Sequence, residues 1–292
     1  MVKKTKGREP DMDLSIIILN YNTSSLLKQT IESIKTDLIH EIIVIDNAST
    51  DDSVEMIRHN FKHIKLITNK KNIGFAAGNN LGLHQAKGRY VLLLNSDTLV
   101  QDGALEKLVS VLDTNRQISA VTPKLVLEDG SLDPACHRAL PTLWNSLIYF
   151  SGLEKLAPRS KVFGQYHMTW LDLDTSHRIE ACSMAAMMFR RTLIDEIAYL
   201  DEDFFMYAED LDYCKRIADA GGEIQFVAEA KIIHLKGKSG THSPSVKTRQ
   251  TTRKHFYQTM KHYFHKHYSK TYPSWLFKLI DLSIDIVAKL RG

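Results

Sequence analysis

The sequence is poor in cysteine and has no long apolar run. Its three cysteines, Cys136, Cys182 and Cys214, are far apart and odd in number, so they fit neither a zinc-binding spacing nor a disulfide framework. No run reaches the ~18 apolar residues that a membrane-spanning helix needs. Residues 1–13 are charged and lack the apolar core of a secretory signal. We therefore expect a cytoplasmic protein.

Two common nucleotide-binding motifs are also missing. The chain has no G-x-G-x-x-G fingerprint of a dinucleotide-binding fold. The tripeptide Gly237-Lys238-Ser239 resembles the end of a P-loop, but Ile232 stands where the motif must begin with glycine. Neither a Rossmann dinucleotide site nor a P-loop is predicted.

Positive charge is concentrated at the C-terminus. Residues 241–292 carry a formal charge of +8, whereas the rest of the chain carries −4. Residues 249–267 and 275–290 have helical periodicity, and the charges of the second helix lie opposite an apolar face. Residues 247–290 are therefore predicted either to attach to an anionic membrane, at the inner face of the plasma membrane, or to pack on the rest of the chain. No RNA- or DNA-binding motif accompanies them, so nucleic acid is not an expected partner.

The most informative stretch runs from residue 72 to residue 97. It opens with a glycine-containing turn, Asn72-Ile73-Gly74, and a helical pattern follows. Tyr90–Leu94 is an unbroken apolar run with the length of a buried strand. It ends in Asn95-Ser96-Asp97, at the carboxyl end of the strand, where open α/β sheets bind ligands. Three short polar residues there suit a hydrated divalent cation and the diphosphate that it carries, although a simple turn has the same composition.

Strands and helices alternate before this stretch. Leu14–Leu19, Glu41–Ile45 and Ile64–Thr68 are predicted strands with helical patterns between them, which indicates βαβ units and a largely parallel sheet. Asp46 follows the second strand at the same edge of the sheet. A carboxylate there is able to accept the imide N–H of uracil or thymine, while the alternative is a turn residue or a helix cap.

A second acidic segment precedes a helical pattern near residue 210. It reads F-F-M-Y-A-E-D-L-D, with Glu209 and Asp210 at the predicted helix start. Negative charge there matches the helix dipole, which stabilises by ~0.3–1 kcal/mol. Two adjacent carboxylates also raise one another's pKa, which makes a better proton acceptor near neutral pH. Further on, Ile224–Val227 and Lys231–Ile233 are predicted as two short strands, the second of which leads into His234.

These segments resemble the inverting family-2 glycosyltransferases of the GT-A fold, and especially the bacterial rhamnosyltransferases. The resemblance extends from about residue 14 to residue 240 and includes N-I-G-F-A-A-G-N-N-L-G, the strand ending in N-S-D, and F-F-M-Y-A-E-D. It implies an α/β, GT-A nucleotide-diphospho-sugar transferase domain over residues 13–240, with a largely parallel central sheet flanked by helices. Residues 1–12 would be a disordered lead-in and residues 241–292 a basic, amphipathic helical extension.

The resemblance also implies a function. The chain would transfer a sugar, with inversion at the anomeric carbon, to a hydroxyl of a cell-surface glycan or a lipid-linked acceptor. Its motifs most resemble those of enzymes that use dTDP-L-rhamnose as the donor, which implies transfer of L-rhamnose. Catalysis would require Mg²⁺ or Mn²⁺. UDP-galactofuranose, UDP-galactose and UDP-GlcNAc remain alternative donors. A catalytically silent nucleotide-sugar-binding partner also remains open, because Ala181–Ala185 replaces the family's Trp-x-Ser-Gly-Ala and Asn95 replaces an Asp.

The family's motifs imply roles for particular residues. Asp210 would be the catalytic base with Glu209 beside it, and Asp97 and His234 would bind the metal. The residues expected to bind the nucleotide-sugar are Asn20, Asp46, Asn72, Gly74, Asn79, Asn95, Ser96 and Asp97. The proline-rich insertion at 123–178 is predicted to shape the acceptor side. Within it, His137 and Arg138 would either contact the donor or acceptor or form an exposed basic turn; they are interpreted as the turn and left outside the core site.

Overall fold

The structure is a computed structural model that describes residues 12–157, 159–236 and 246–290. The strands are β1 (Leu14–Asn20), β2 (His40–Asp46), β3 (Lys65–Thr68), β4 (Tyr90–Asn95), β5 (Thr98–Val100), β6 (Ile118–Val126), β7 (His177–Ile179), β8 (Ala186–Arg190) and β9 (Glu223–His234). The helices are α1 (Ser24–Ser33), α2 (Ser53–Asn60), α3 (Phe75–Leu83), α4 (Ala104–Thr114), α5 (Leu143–Ser151), α6 (Leu193–Ile197), α7 (Glu209–Asp219), α8 (Val246–Tyr268) and α9 (Ser274–Leu290). The predicted disordered lead-in lies, apart from Met12, outside the described residues.

One mixed sheet organises the described part of the chain. Its strand order is β3-β2-β1-β4-β8-β6-β9-β5, and β7 pairs with β9. The pairing is parallel from β3 to β4, as the alternation of strands and helices predicts. In register, Asn20 pairs with Asp46 and Leu19 pairs with Asn95. The predicted nucleotide-binding residues at the ends of β1, β2 and β4 therefore meet at one edge of the sheet.

The first strand is buried on both faces. Ile16, Ile17 and Ile18 have no solvent exposure, which explains a continuous apolar run instead of an alternating one. Helix α3 lies against this strand through two glycines. A Cβ on Gly78 would lie 2.5 Å from Leu19 Cδ1, and one on Gly82 would lie 2.5 Å from Ile17 Cγ2. Glycine at these two positions therefore sets how closely α3 approaches the sheet.

The pairing beyond β4 is mixed, and one predicted boundary is wrong there. Strand β8 is antiparallel to both β4 and β6, whereas β9 is parallel to β6. The two short strands predicted at 224–227 and 231–233 form the single strand β9. The register shifts between Pro123 and Lys124 of β6, whose partners are Val227 and Lys231, so residues 228–230 are an irregularity within one strand. The continuous strand carries His234 to the edge where β4 ends.

The two C-terminal helices pack on the segment that precedes α7. A buried cluster joins Phe204 and Ala208 to Tyr263 and Phe264 of α8 and Phe277 of α9. The ring of His255 also stacks on Phe205, with 4.9 Å between ring centroids. Packing on the rest of the chain, one of the two predicted alternatives for these helices, is therefore observed. Among the described residues, no helix is both long and apolar enough to cross a bilayer.

Candidate active site

A chain of hydrogen bonds connects the ends of β2, β1 and β4. Asn20 Nδ2 donates to Asp46 Oδ1 at 3.0 Å. Thr23 Oγ1 donates to Asn20 Oδ1 at 2.7 Å and lies 2.8 Å from Ser96 Oγ. Asp46, Asn20 and Ser96 are all buried, so the chain of bonds holds them in fixed relative positions. Asn95, at the end of β4, is half-buried beside them.

A cavity of about 530 Å³ opens beside Asp46. Its lining consists of residues from the ends of β2 and β3 and from α2, and includes Asp46, Ser49, Asp51, Arg58, Asn69 and Lys70. The volume lies within the range of about 300–1,000 Å³ that is usual for small-molecule sites. The cavity is therefore large enough for a nucleoside next to the carboxylate of Asp46.

Asn72 and Gly74 form a tight turn held by Asn47. Asn47 Nδ2 donates to Asn72 Oδ1 at 2.9 Å and to the Gly74 carbonyl at 3.1 Å. Gly74 has φ = +93°, and a Cβ there would lie 2.6 Å from the carbonyl oxygen of Phe205. The next amide, of Phe75, donates to that same oxygen at 2.7 Å. The N-I-G-F turn and the F-F-M-Y segment, far apart in sequence, are thus in direct contact.

The asparagines Asn79 and Asn80 make structural hydrogen bonds. Asn79 Nδ2 donates to Phe75 O within α3 at 2.9 Å. Asn80 Nδ2 donates to Leu200 O and to Glu202 Oε1, each at 2.9 Å. Asn80 was not among the predicted site residues, yet it fixes α3 to the chain that leads into the F-F-M-Y segment.

Asp97 and His234 meet because β5 and β9 are antiparallel. Thr98 pairs with His234, and the Leu235 amide donates to the Asp97 carbonyl at 2.8 Å. His234 Nε2 consequently lies 3.3 Å from Asp97 Oδ1, and both side chains are buried. The two predicted metal ligands are therefore brought together.

The other nitrogen of His234 is held by a residue that sequence reasoning missed. His234 Nδ1 lies 2.7 Å from Asp133 Oδ2, and Asp133 also accepts from Lys236 Nζ at 2.8 Å. Burial lowers the pKa of His234, but hydrogen bonds to Asp133 and Asp97 outweigh it and raise the pKa to about 9. A carboxylate on one imidazole nitrogen that aims the other at a ligand site is the usual support of a metal-binding histidine. Asp97 and His234 Nε2 thus fit a divalent cation.

Glu209 and Asp210 begin helix α7 after a strained turn. Tyr207 and Ala208 have φ = +72° and +64°, a left-handed conformation that costs about 1–3 kcal/mol at a non-glycine residue. Glu209 is buried, and its Oε2 has no hydrogen-bond partner among the described residues. Burial, followed by the charge of Asp210, raises the pKa of Glu209 to about 8. Burial therefore favours the neutral form of Glu209.

Comparison with known sequences decides the family. The model of Glycosyl transferase family 2 matches residues 15–193, more than half of the chain, including β2, which ends in Asp46, and the turn between β4 and β5 that holds Asp97. The chain belongs to Glycosyl transferase family 2. The predicted family is thus confirmed, and the protein is a glycosyltransferase.

Two curated relatives of this family-2 glycosyltransferase are, by name, a hexosyltransferase and an L-rhamnosyltransferase. The low-salt glycan biosynthesis hexosyltransferase Agl10 of Haloferax volcanii is 28% identical over 210 residues, which cover 70% of this chain and 61% of that protein. The N-acetylglucosaminyl-diphospho-decaprenol L-rhamnosyltransferase of Mycobacterium tuberculosis is 22% identical over 245 residues, 80% of this chain and 79% of that protein. The predicted similarity to rhamnosyltransferases is therefore confirmed.

A solved structure supports the fold of the family-2 domain. The mannosyltransferase PcManGT from Pyrobaculum calidifontis, in complex with GDP-Man and Mn²⁺, aligns with a TM-score of 0.58 at 18% identity and covers 98% of this chain and 73% of that chain. Likeness at this level of identity shows the fold. The predicted GT-A architecture, with its helical C-terminal region, is confirmed.

The interpretation of His137 and Arg138 as an exposed basic turn is wrong. Arg138 is 9% exposed, and its Nη2 lies 2.5 Å from Asp210 Oδ2. His137 is 1% exposed, and burial lowers its pKa to about 4, so it is neutral at pH 7. Against the effect of burial, the charge of Asp210 keeps the pKa of Arg138 well above its usual value. The insertion thus supplies a permanent cation to the proposed base of this family-2 enzyme.

Proposed function

We propose that the protein transfers L-rhamnose from dTDP-L-rhamnose, with inversion, to a hydroxyl of a cell-surface glycan or lipid-linked acceptor. The observation that carries this proposal is the hydrogen-bond chain Asp46–Asn20–Thr23–Ser96. It connects the cavity beside Asp46 to Ser96, whose neighbour Asp97 lies beside His234. This arrangement suits a nucleoside at one end and a diphosphate at the other. The L-rhamnosyltransferase of Mycobacterium tuberculosis, similar over 80% of this chain, supports the sugar.

Asp97 and His234 would hold a divalent cation, Mg²⁺ or Mn²⁺. When bound, this ion offsets the charge that develops on the leaving diphosphate. Asp133 orients His234 through Nδ1 and thereby keeps Nε2 directed at the cation site. The other proposed donor contacts are Asn72 and Gly74 in the N-I-G-F turn, with Asn95 and Ser96 at the end of β4.

Asp210 would remove the proton of the acceptor hydroxyl. The hydroxyl oxygen then bonds to the anomeric carbon from the face opposite the diphosphate, the bond from that carbon to the phosphate oxygen breaks, and the configuration inverts. Arg138 holds Asp210 in place through the contact between Nη2 and Oδ2. Glu209, whose neutral form is favoured by burial, is less suited to accept the proton, so the two adjacent carboxyl groups have different roles.

A UDP-sugar is the second candidate donor. Uracil and thymine both present an imide N–H that a carboxylate accepts, so the position of Asp46 favours either base over a purine. UDP-galactofuranose, UDP-galactose and UDP-GlcNAc therefore belong in the same test. A catalytically silent sugar-nucleotide-binding role is the weaker alternative, because it does not account for the buried contact between Arg138 and Asp210.

Residues 247–290 are also proposed to contribute to attachment at an anionic membrane surface. Helix α9 buries Phe277 in the cluster with α8 and the segment before α7, and its Ile284 is also buried. Four of its large apolar residues are exposed, namely Trp275, Leu279, Leu282 and Ile286. These four recur at helical spacing, so they form one apolar face. Such a face suits the boundary between lipid headgroups and acyl chains.

A panel of nucleotide sugars tests the donor. The full-length protein is mixed with each sugar nucleotide and Mg²⁺ or Mn²⁺, and donor hydrolysis and the rise in melting temperature are measured. We expect dTDP-L-rhamnose to be hydrolysed fastest and to protect most. Stronger protection and turnover with a UDP-sugar would replace rhamnose by that sugar, and protection without turnover of any donor would favour the silent role.

A further inference from the structure

Exposed large apolar side chains are concentrated in two segments of the described chain. One is the outer face of α9. The other is a segment of the insertion, residues 143–162, which includes α5 and the 3₁₀ turn Leu153–Leu156. Its exposed apolar residues are Trp144, Leu147, Tyr149, Leu153, Leu156 and Val162. Leu156 is 80% exposed, although other residues of the same segment are buried. Clustered exposed apolar side chains of this kind indicate an interaction surface.

Helix α5 has exposed apolar residues beside its buried ones. Ile148 is buried, whereas Trp144 and Leu147, three positions apart at the edge of the buried side, are 48% and 60% exposed. The helix is well formed, because Thr142 and Asn145 make a reciprocal capping box at its start. The open apolar face is therefore a feature of a stable helix.

Basic residues surround the apolar residues of this segment. Lys155, Arg159 and Lys161 are exposed and lie between or beside Leu153, Leu156 and Val162 in the sequence. The acidic residue Glu154 is turned away, with its carboxylate 3.0 Å from His167 Nδ1. The outward charge of the segment is consequently positive.

Helix α9 repeats this combination. Lys278 and Lys289 are exposed beside its apolar face. Its two acidic residues are engaged with α8, since Asp281 lies 3.1 Å from His265 Nε2 and Asp285 lies 2.8 Å from Lys261 Nζ. Protein–protein interfaces are depleted of lysine, whereas lysine and arginine beside tryptophan and leucine are typical of helices on anionic lipid.

The two segments are neighbours in the fold. Leu143, the first residue of α5, packs against the cluster that contains Phe277 of α9. Tyr268 Oη, at the end of α8, donates to Pro141 O at 2.8 Å. Leu211, which follows Asp210, packs against the same cluster.

We propose that residues 143–162 form a second attachment site for an anionic bilayer and that they act together with the outer face of α9. This would place the proposed base Asp210 close to the lipid surface, where a lipid-linked acceptor presents its hydroxyl. The attachment itself follows from exposed residues alone, while its relation to the acceptor rests on the proposed function.

Flotation of the full-length protein with phosphatidylcholine vesicles, with and without phosphatidylglycerol, tests the attachment. The variant Leu147→Ser/Leu156→Ser changes the insertion, Leu279→Ser/Leu282→Ser changes α9, and Ile39→Ser is the control, since Ile39 is 41% exposed and lies outside both segments. We expect each double variant to lower the partition coefficient about tenfold on anionic vesicles, and the combined variant to abolish binding. Ile39→Ser should bind like the wild type, and binding should weaken with salt.

Several outcomes would overturn the proposal. Wild-type binding by Leu147→Ser/Leu156→Ser would remove the insertion from the membrane surface. Equal binding to vesicles without phosphatidylglycerol would show that the basic residues do not contribute to attachment. Self-association of the wild type without lipid, lost in the double variants, would show that the surface joins two copies of the chain.

Melting curves with and without a sugar nucleotide, run on every variant, distinguish this failure from failure of the proposed function. Retained donor protection with lost vesicle binding supports the attachment site. Retained vesicle binding without protection by any donor would contradict the enzymatic proposal and leave the attachment intact.

Discussion

The imidazole of His234 lies 3.3 Å from the carboxylate of Asp97 and, through its other nitrogen, 2.7 Å from that of Asp133. Two acidic partners stabilise the protonated ring, whose pKa is raised from 6.5 to about 9. A divalent cation bound at Nε2, as proposed, would have to displace that proton. Protons and metal would therefore compete for one nitrogen atom.

The first prediction concerns pH in metal-free protein. Because the folded pKa of His234 is above the unfolded value of 6.5, its stabilising effect is full below pH 6.5 and disappears as the pH rises through about 9. Unfolding by urea in chelator should show a loss of stability over this interval. His234→Gln should remove that component, and an unchanged slope in the variant would contradict the assignment.

The second prediction concerns metal affinity and Asp133. Asp133→Asn should weaken Mn²⁺ binding about 10–100-fold, because the amide no longer holds His234 as a carboxylate does. Calorimetric titration with Mn²⁺ measures this without turnover. The matched control is Asp129→Asn, a change at a carboxylate that accepts from the amide and hydroxyl of Ser131 in the turn before Asp133. Equal affinity of the two variants would mean that Asp133 has no part in the metal site.

The third prediction separates the two adjacent carboxyl groups. Asp210→Asn should lower the rate of sugar transfer by about 10²–10⁴ while donor protection persists. Glu209→Gln should retain most of the transfer rate at pH 7, because burial raises the pKa of Glu209 to about 8 and favours its neutral form there. If Glu209→Gln is the inactive variant, the base has been assigned to the wrong residue.

The pKa of Glu209 also predicts a change in stability. Its folded pKa exceeds the value of 4.5, so the neutral buried form stabilises fully below pH 4.5 and this contribution is lost as the pH rises through about 8. Glu209→Gln should therefore unfold less readily than the wild type above pH 8. Melting curves at pH 6 and pH 9 measure this, and a larger benefit at pH 6 would contradict it.

The fifth prediction concerns α9. Phe277→Ala should destabilise the fold by about 3 kcal/mol, because the ring is 6% exposed in the cluster that includes Phe204. Leu279→Ala, two positions on and 51% exposed, should change stability by less than about 0.5 kcal/mol. Urea unfolding of both variants makes the comparison. Equal stability of the two would mean that α9 does not pack as described.

The first half of the fold is readable because its signals are local. Apolar runs of strand length, ended by Asp46 and by Asn95-Ser96-Asp97, specify both the strands and the edge where they end. Parallel pairing of the strands then brings these polar residues to the same edge of the sheet. His234 is different, because no local pattern indicates it. A family motif alone predicts it as a metal ligand beside Asp97.

The rest of the site depends on contacts that leave no local pattern. Arg138 reaches Asp210 from an insertion broken by prolines, where periodicity gives no signal for burial. Asp133 was missed for the same reason, since its partner His234 is contributed by a distant strand. The sequence predicts two short strands where the structure has the single strand β9. The predicted break falls at residues 228–230, where the register between β6 and β9 shifts.

The contact between Gly74 and Phe205 has a consequence for the order in which substrates bind. The turn at residues 72–74, which is proposed to hold the donor, contacts the segment that leads into Asp210. The Phe75 amide donates to the Phe205 carbonyl oxygen, and that oxygen leaves no room for a Cβ on Gly74. A donor that rigidifies residues 72–74 would also restrict the segment that leads into Asp210. The affinities for donor and acceptor would then be thermodynamically linked. Each substrate would raise the affinity for the other by the same factor. Steady-state kinetics should accordingly show a sequential mechanism in which the acceptor KM falls as the donor concentration rises.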